Sequence, residues 1–233
     1  MGIIIGISGV ACSGKDTTGN FFVREFGFTN ISFADPIKRA CADIFDWDEE
    51  TLWGDSEKRN VPDLRYPRDI AQHSNENITE YLTPRYALQT FGTQFGRHCY
   101  KDIWVKYGIR IAKTILDHPN YQYIKSKGII KHTASQSTVG GIVFTDCRFK
   151  NEIELIKEAD GILIRLKRPG AGLSGSAAQH SSELEQQSIS DDVFDFIIDN
   201  DGTIEDLQNN VIKIGTSLGL SQNEPLQLEL PFS

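Results

Sequence analysis

Short apolar runs alternate with amphipathic segments along most of the sequence. The run at 3–8 (IIIGIS) is rich in isoleucine, which is typical of a strand buried on both faces of a parallel sheet. In the segment 15–26, Phe21, Phe22 and Phe26 share one face, and this spacing predicts an amphipathic helix. These residues therefore predict a strand–loop–helix unit.

The same alternation continues through the rest of the sequence. It predicts further strands at 30–34, 141–146, 161–166 and 193–199, and helices that open at Asp35 and span 84–97, 102–117, 148–159 and 203–217. Asp35 is expected to cap its helix, with Pro36 in the first turn. Strands that alternate with helices predict an α/β, three-layer fold, in which a five-stranded parallel sheet carries helices on both faces.

A long segment of different character interrupts this pattern. Residues 46–140 are expected to form a helical insertion, with an irregular polar excursion at 46–78 and a hairpin within 118–140. The insertion would lie over the carboxyl edge of the sheet, where open α/β folds bind their ligands.

We expect a single domain at 1–217, whose core comprises 1–45 and 141–217, and a C-terminal tail at 218–233. Residues 167–183 are rich in Gly, Ser and Gln, and we interpret them as a lid. Because this segment can bury little apolar surface, we expect it to be mobile without ligand.

The loop after the first predicted strand carries a phosphate-binding motif. Residues 9–15 (GVACSGK) fit G-x-x-x-x-G-K between a strand and a helix, which is the context that the motif requires. Gly9 and Gly14 let the backbone turn tightly, so that N–H groups, including that of Ser13, point at phosphate oxygens. The helix N-terminus adds partial positive charge, and Lys15 is expected to reach the β- and γ-phosphates of ATP.

One position departs from the motif. Asp16 stands where a serine or threonine normally follows the lysine, and Thr17 comes next. Asp16 could bind Mg²⁺ directly or through water, with Thr17 contacting a phosphate. Alternatively, Asp16 is only a first-turn acid that the helix dipole favours.

Charge and composition exclude several classes of function. The net charge of −8 argues against a general nucleic-acid or membrane-surface binder, since both need an excess of basic residues. No apolar stretch approaches the roughly 18 residues of a membrane span, and no signal peptide is expected. The four cysteines occur singly, which indicates reduced thiols in a cytoplasmic protein.

Five blocks of the sequence follow an order that is known from one family. They read GVACSGKDT, FADPIK, LQTFGTQFGRHCYKDIWV, VFTDCRFKNEIELIKEADGILIRLKRP and HSSE, and they cover most of 3–215. In these blocks the chain resembles the phage-type deoxynucleoside monophosphate kinases. The resemblance implies a substrate-binding insertion, a lid, ATP with Mg²⁺ as the phosphate donor, and a deoxynucleoside monophosphate (dNMP) as the acceptor. A phage-encoded enzyme would work in the host cytoplasm.

Two other functions remain open at this point. Animal-type phosphomevalonate kinases share the SGKD loop and the later T-D-x-R block, so another small-molecule kinase is an alternative. The second alternative function is a P-loop ATPase or nucleotide switch, which should hydrolyse ATP without an acceptor. Arginines near a lid-like insertion favour transfer over switching. The sequence also leaves a homodimer open.

Transfer between two anions needs positive charge at the migrating phosphoryl group. The resemblance places Arg97, in the GTQFGR block, at the acceptor site, where a guanidinium can grip phosphate through two hydrogen bonds. A solvated surface charge is the alternative. Gln89 is a candidate for reading a base edge, and Trp104 for stacking on a base, although core packing is the commoner role of tryptophan. Asp35 and Lys38, in the FADPIK block, complete the candidate acceptor residues.

The remaining candidates follow two later strands. Asp146 ends the strand predicted at 141–146, a position that resembles the Mg²⁺-binding acid of P-loop enzymes. It could instead orient Arg148, itself a candidate for contacting phosphate, or cap the next helix. Arg165 and Arg168 flank the predicted lid, and lid closure would bring one of them onto the phosphates.

The tail contains an apolar hexapeptide. Residues Gln227–Phe232 (QLELPF) resemble the bacterial sliding-clamp-binding motif, in which a glutamine precedes hydrophobic residues that fill a pocket. Leu228, Leu230 and Phe232 would be that apolar set, and Pro231 would reduce the entropy lost on docking. The alternative is that the tail packs against its own domain.

Overall fold

The computed structural model describes residues 2–69, 79–132, 139–172, 185–186 and 188–223. The described strands are β1 (Ile3–Ser8), β2 (Phe28–Ile31), β3 (Asp63–Asp69), β4 (Thr79–Leu82), β5 (Tyr121–Ile124), β6 (Gly128–Lys131), β7 (Gly141–Cys147), β8 (Ile162–Lys167) and β9 (Phe196–Asp199). Five of them form one parallel sheet in the order β2–β7–β1–β8–β9. The predicted five-stranded parallel sheet is therefore confirmed.

Helices cover both faces of this sheet, as predicted. The described helices are α1 (Lys15–Phe26), α2 (Asp35–Phe45), α3 (Glu49–Trp53), α4 (Pro84–Gln89), a π-helix (Thr90–Arg97) that continues α4, α5 (Ile103–Asp117), α6 (Lys150–Glu158) and α7 (Ile204–Ser217). Short 3₁₀ turns occur at Ser56–Asn60 and Asp191–Val193. Within the described ranges, no helix is long and apolar enough to cross a bilayer.

The continuous apolar runs of the central strands follow from burial on both faces. Ile4 of β1 and Ile142 of β7 join a cluster formed with α5 and α6. Their neighbours Ile5 and Val143 point the other way and join the cluster formed with α1 and α7. Because successive residues of a strand face opposite sides, a strand between two helical layers has no polar face.

The insertion shares a small apolar cluster with α2 of the core. Ile37 and Cys41 of α2 pack with Trp47, Leu52 and Ala87, away from the sheet. This cluster holds α2, α3 and α4 together beside the carboxyl edge of the sheet. The proposed division into core, insertion, lid and tail stays a prediction.

Inside the insertion, one expectation is confirmed and one is partly wrong. The hairpin expected within 118–140 is formed by β5 and β6, which pair antiparallel. The excursion at 46–78 is more regular than expected, since it contains α3, a 3₁₀ turn and β3, which pairs with β4. Pro67 lies within β3, next to an irregularity in the register of β3 with β4. Because proline is rare inside strands, its presence argues against a strand when only the sequence is considered.

Several boundaries also differ from the prediction; for example, β9 begins at Phe196 and not at 193, because a 3₁₀ turn occupies Asp191–Val193. β2 ends at Ile31, because Phe28 and Ile31 pair in register with β7 and the chain then turns away. Helix α2 begins at Asp35 with Ala34 as its N-cap residue, so Asp35 is not the cap. Its carboxylate accepts instead from the backbone N–H of Ser32, at 3.0 Å.

Candidate active site

The phosphate loop, residues 9–15, joins β1 to α1 with the geometry that the motif predicts. Gly14 has a φ of +103°, a backbone region that residues with a side chain rarely adopt. A Cβ on Gly9 would lie 2.7 Å from the carbonyl oxygen of Leu166, so the close approach of β8 also requires glycine. The two motif glycines are thus explained by backbone conformation and by packing.

Two side chains of the loop are buried and polar. The Ser13 hydroxyl is fully buried and has no hydrogen-bond partner among the described residues. The Lys15 ammonium donates to the carbonyl oxygen of Val10 at 2.7 Å, so it lies across the loop. A buried hydroxyl without a partner is costly. A phosphate oxygen in the loop would satisfy it, and the residues present therefore fit a nucleotide phosphate.

The base of the loop is braced by two amides that the sequence analysis missed. Gln186 is buried, and its amide donates to the Ser8 hydroxyl at 3.1 Å and to the carbonyl oxygen of Gly9 at 2.8 Å. Asn200 donates to the carbonyl oxygen of Ser13 at 2.8 Å. Gln186 lies in a stretch rich in Gln and Ser, where a single glutamine carries no sequence signal. Asn200 directly follows a predicted strand, and its position could have suggested a role.

A cavity of about 640 Å³ opens beside the N-terminus of α1. Its wall carries six basic side chains: Lys38, Arg59, Arg85, Arg97, Lys125 and Arg148. Four acids also line it: Asp16, Asp35, Asp146 and Glu152. The excess of positive charge here contrasts with the net charge of −8 of the whole chain. The cavity is thus suited to an anionic small molecule, and Arg59, Lys125 and Glu152 are lining residues that sequence reasoning missed.

Asp146 ties two core strands together at the cavity floor. Its carboxylate accepts from the backbone N–H groups of Phe33 and Ala34, at 3.0 and 3.1 Å, and from the Ser32 hydroxyl. Burial raises the pKa of Asp146, although these hydrogen bonds lower it. Asp146 therefore fixes the loop between β2 and α2, and the proposed metal-binding role would have to use the remaining lone pairs.

Asp35 and Lys38 both line the cavity, but Asp35 is held by hydrogen bonds whereas Lys38 has a lowered pKa. Asp35 is fully buried, and its carboxylate accepts from the Trp53 indole and the Tyr123 hydroxyl, each at 2.9 Å. These contacts give it a structural role. Burial, reinforced by the nearby Arg59, lowers the pKa of Lys38 to about 8. A largely buried lysine beside other cations is a good partner for an incoming anion.

Arg97, at the end of the π-helix, is held from two sides. Its guanidinium donates to Glu152 at 2.5 Å, and its central carbon lies 3.7 Å from the centroid of the Phe149 ring. Glu152 was missed because an acid in the first turn of a helix is a common capping feature. π-helical turns occur often at functional sites, which fits the position of this arginine on the cavity wall.

The other two acceptor candidates, Gln89 and Trp104, lie on the cavity wall, but packing explains part of the second one's role. Gln89 and Trp104 line the cavity, and the Trp104 indole donates to the carbonyl oxygen of Gly92 at 2.8 Å. Trp104 also packs against two apolar clusters, so packing accounts for much of its role.

Asp16 is an accessible acid at the end of the cavity next to the phosphate loop. Asp16 is exposed and lines the cavity, and its carboxylate accepts from the Thr145 hydroxyl at 2.9 Å. Within the described ranges, no three His, Cys, Asp or Glu residues are grouped to hold a metal. Mg²⁺ usually keeps several waters and binds one or two carboxylates together with substrate phosphates. The residues therefore fit an ion that arrives with the nucleotide.

The two arginines at the lid boundary differ in their contacts. Arg165 is tied down: it donates to the carbonyl oxygens of Ile189 and Gln186, at 2.6 and 2.8 Å, and to Asp191 at 2.8 Å. Arg168 is exposed and, with Arg165, lines a second cavity of about 470 Å³ next to the phosphate loop. Most of the predicted lid, residues 173–183, lies outside the described residues, so lid closure stays a prediction.

The first part of the tail packs against its own domain. Leu218 and Leu220 contact the cluster beneath α1 and α7. The Asn223 side chain donates to the carbonyl oxygen of Arg24 at 3.0 Å. The hexapeptide Gln227–Phe232 lies outside the described residues.

These features define a phosphotransferase of the P-loop kinase class. β1 lies at the centre of a parallel sheet, a glycine-bounded phosphate loop leads to a helix N-terminus, and a basic cavity adjoins them. Comparison of the whole chain with known proteins narrows this class to a family.

The chain is 31% identical over 210 residues to a protein of Acanthamoeba polyphaga mimivirus, whose name assigns it provisionally as a deoxynucleotide monophosphate kinase. The match covers 90% of this chain and 94% of the viral protein. This chain belongs to the deoxynucleotide monophosphate kinase family. A scan against protein-family models finds no match.

The solved structures that match this chain are much more distant in sequence. Shikimate kinase from Aquifex aeolicus has 11% identity and a TM-score of 0.46, with 93% of this chain and 99% of that chain covered. Dephospho-CoA kinase from Campylobacter jejuni has 17% identity and a TM-score of 0.43, with 92% of this chain and 96% of that chain covered.

Proposed function

We propose that the protein transfers the γ-phosphate of ATP to a deoxynucleoside monophosphate, giving the deoxynucleoside diphosphate and ADP. The observation that supports this most directly is the basic cavity that adjoins the phosphate loop. A kinase with an anionic acceptor needs a second anion-binding site beside the donor phosphates, and family membership points to a deoxynucleotide as that acceptor.

In this proposal the phosphate loop and Lys15 hold the β- and γ-phosphates of ATP. Arg97 binds the acceptor phosphate, and Arg148 lies between the two anions, where charge develops during transfer. Lys38 adds positive charge to the cavity wall. Phosphoryl transfer depends mainly on positioning and electrostatics, so no strong general base is required.

Mg²⁺ would be held by Asp16 with the nucleotide phosphates, and Asp146 is a second candidate ligand. The ion would neutralise part of the negative charge on the donor. The protein's own contribution is to orient donor and acceptor and to exclude water when the proposed lid closes over Arg168.

The proposed reaction is tested by supplying ATP and Mg²⁺ with each of the common dNMPs and ribonucleoside monophosphates in turn. We expect a deoxynucleoside diphosphate and ADP to form in equal amounts. Rapid ADP formation without an acceptor would indicate an ATPase or switch instead. Phosphorylation of phosphomevalonate, but of no nucleotide, would indicate the other kinase alternative.

Replacing Arg97 with alanine is expected to weaken acceptor binding selectively. Loss of a charge-assisted contact to phosphate should raise the KM for the dNMP by roughly 10- to 100-fold, while the KM for ATP changes little. Arg110→Ala is the matched control, because Arg110 is an exposed arginine on α5 that does not line the cavity. An unchanged dNMP affinity in a folded Arg97→Ala variant would remove Arg97 from the acceptor site.

The tail hexapeptide is proposed to bind a bacterial sliding clamp. Deleting residues 226–233 is expected to leave kinetics and melting temperature unchanged while abolishing clamp binding, measured by surface plasmon resonance. Replacing both Leu228 and Phe232 with alanine should have the same effect. A full-length protein that shows no binding, or a truncation that lowers the melting temperature, would favour packing of the tail on its own domain.

A further inference from the structure

We propose that Glu152 is a positioning residue of the acceptor site, which fixes the Arg97 guanidinium relative to the turn that carries Arg148. The proposal rests on the proposed function, because it takes Arg97 as the contact for the acceptor phosphate. Glu152 itself is not expected to touch the substrate's reacting atoms.

The two oxygens of the Glu152 carboxylate have separate partners. Oε1 accepts from Nη2 of Arg97 at 2.5 Å. The Glu152 side chain is 3% exposed and the Arg97 side chain is 15% exposed. Oε2 accepts from the backbone N–H groups of Arg148 at 2.7 Å and Phe149 at 3.0 Å. A single buried carboxylate thus joins a side chain of the π-helix to the turn between β7 and α6.

The position of the Arg97 guanidinium is also restricted by an aromatic ring. The ring of Phe149 lies under it, with the guanidinium carbon 3.7 Å from the ring centroid. The ring blocks movement of the guanidinium towards Phe149, and the carboxylate holds its Nη2 group. Phe149 belongs to the same turn as Arg148, so both contacts tie Arg97 to the same short segment.

Helix capping alone does not account for a glutamate here. A glutamine could accept the two backbone N–H groups equally well through its single oxygen. Its NH₂ group would then face the Arg97 guanidinium, donor against donor. A carboxylate is needed only if both the turn and Arg97 are to be held.

Burial disfavours the charged form of Glu152, so a carboxylate at this position indicates a role that offsets this energetic cost. Burial raises the pKa of Glu152 to about 7, even though Arg97 lowers it. A negative charge close to an anion-binding cavity also opposes binding of the acceptor. An apolar or neutral residue would avoid both penalties, but it would leave Arg97 without a carboxylate partner, with only a long contact to Asn151 at 3.5 Å and the Phe149 ring to hold it.

The test is a double-mutant cycle of Glu152→Gln and Arg97→Ala, with the KM for ATP and for the best dNMP measured separately. We expect Glu152→Gln to raise the KM for the dNMP about tenfold and to leave the KM for ATP unchanged. In the Arg97→Ala background, Glu152→Gln should have little further effect. Glu154→Gln is the matched control, since Glu154 is an exposed acid on the same helix.

Equal effects on both KM values, or a full Glu152→Gln effect that persists without Arg97, would overturn the proposal in favour of a purely structural role. A measurement that needs no substrate tests the proposal even if the Glu152→Gln variant does not fold or the enzyme accepts no dNMP. In ¹⁵N NMR of the unchanged protein, with Arg97 assigned from the Arg97→Ala spectrum, a held guanidinium gives separate Nη–H signals. A freely rotating Arg97 guanidinium would overturn the proposal, whereas failure to phosphorylate any dNMP would overturn only the proposed function.

Discussion

Replacing Lys15 with alanine is expected to lower kcat by roughly 100- to 1,000-fold, the usual cost of removing one preorganised charge from a transition state. The ammonium lies across the phosphate loop, 2.7 Å from the Val10 carbonyl oxygen, in a buried position beside the helix N-terminus. A charge in such a poorly hydrated site acts on the migrating phosphoryl group more strongly than it would in water.

Folding should survive this change, because the Lys15 ammonium is not part of an apolar cluster. Circular dichroism and the melting temperature check this, and kcat is measured with saturating ATP and dNMP. Lys113→Ala is the control, since Lys113 is an exposed lysine on α5. A folded Lys15→Ala enzyme with nearly normal turnover would be incompatible with phosphate binding by the loop.

Replacing Asp146 with asparagine is expected to affect both stability and activity. The carboxylate accepts hydrogen bonds on both oxygens, from Ser32, Phe33 and Ala34, whereas an amide offers only one acceptor atom. At least one buried N–H group would lose its partner, at a cost of about 1–3 kcal/mol, so the melting temperature should fall by several degrees.

The activity of Asp146→Asn should fall by roughly 10- to 100-fold, because the loop at 32–34 leads directly into the cavity wall. Titration with Mg²⁺ separates the two roles proposed for Asp146. Partial rescue at high Mg²⁺ would support a ligand role, and a loss that is independent of Mg²⁺ would leave only the positioning of the loop. Asp199→Asn serves as the control, because Asp199 is an exposed acid at the end of another core strand.

The sheet and the phosphate loop could be predicted because their determinants are local. An isoleucine-rich run followed by a glycine-bounded loop and an amphipathic helix carries its own signal, and α1 spans the predicted residues 15–26. The pairing of β3 with β4 could not be predicted, because Pro67 interrupts the strand pattern.

In the cavity, too, some residues could be predicted from the sequence and others could not. Arg97 was found through its sequence block, but its partner Glu152 was not, because the contact between them joins segments more than fifty residues apart. Gln186 was missed for a similar reason: nothing in its neighbours indicates that its amide would support the phosphate loop. Residue type and spacing predict which groups can do chemistry, while burial and distant partners decide how each one is held.

The central position of β1 has a consequence for how the chain is made. Ile3 pairs with Gly141 on one side, and Ile5 pairs with Ile162 on the other. At a ribosomal rate of about 5–20 residues per second, the isoleucine-rich strand waits on the order of ten seconds before a neighbour emerges. During this interval an apolar strand with two open edges is exposed to other nascent chains. Among the five strands of the sheet, the most central one therefore waits longest for its partners during synthesis.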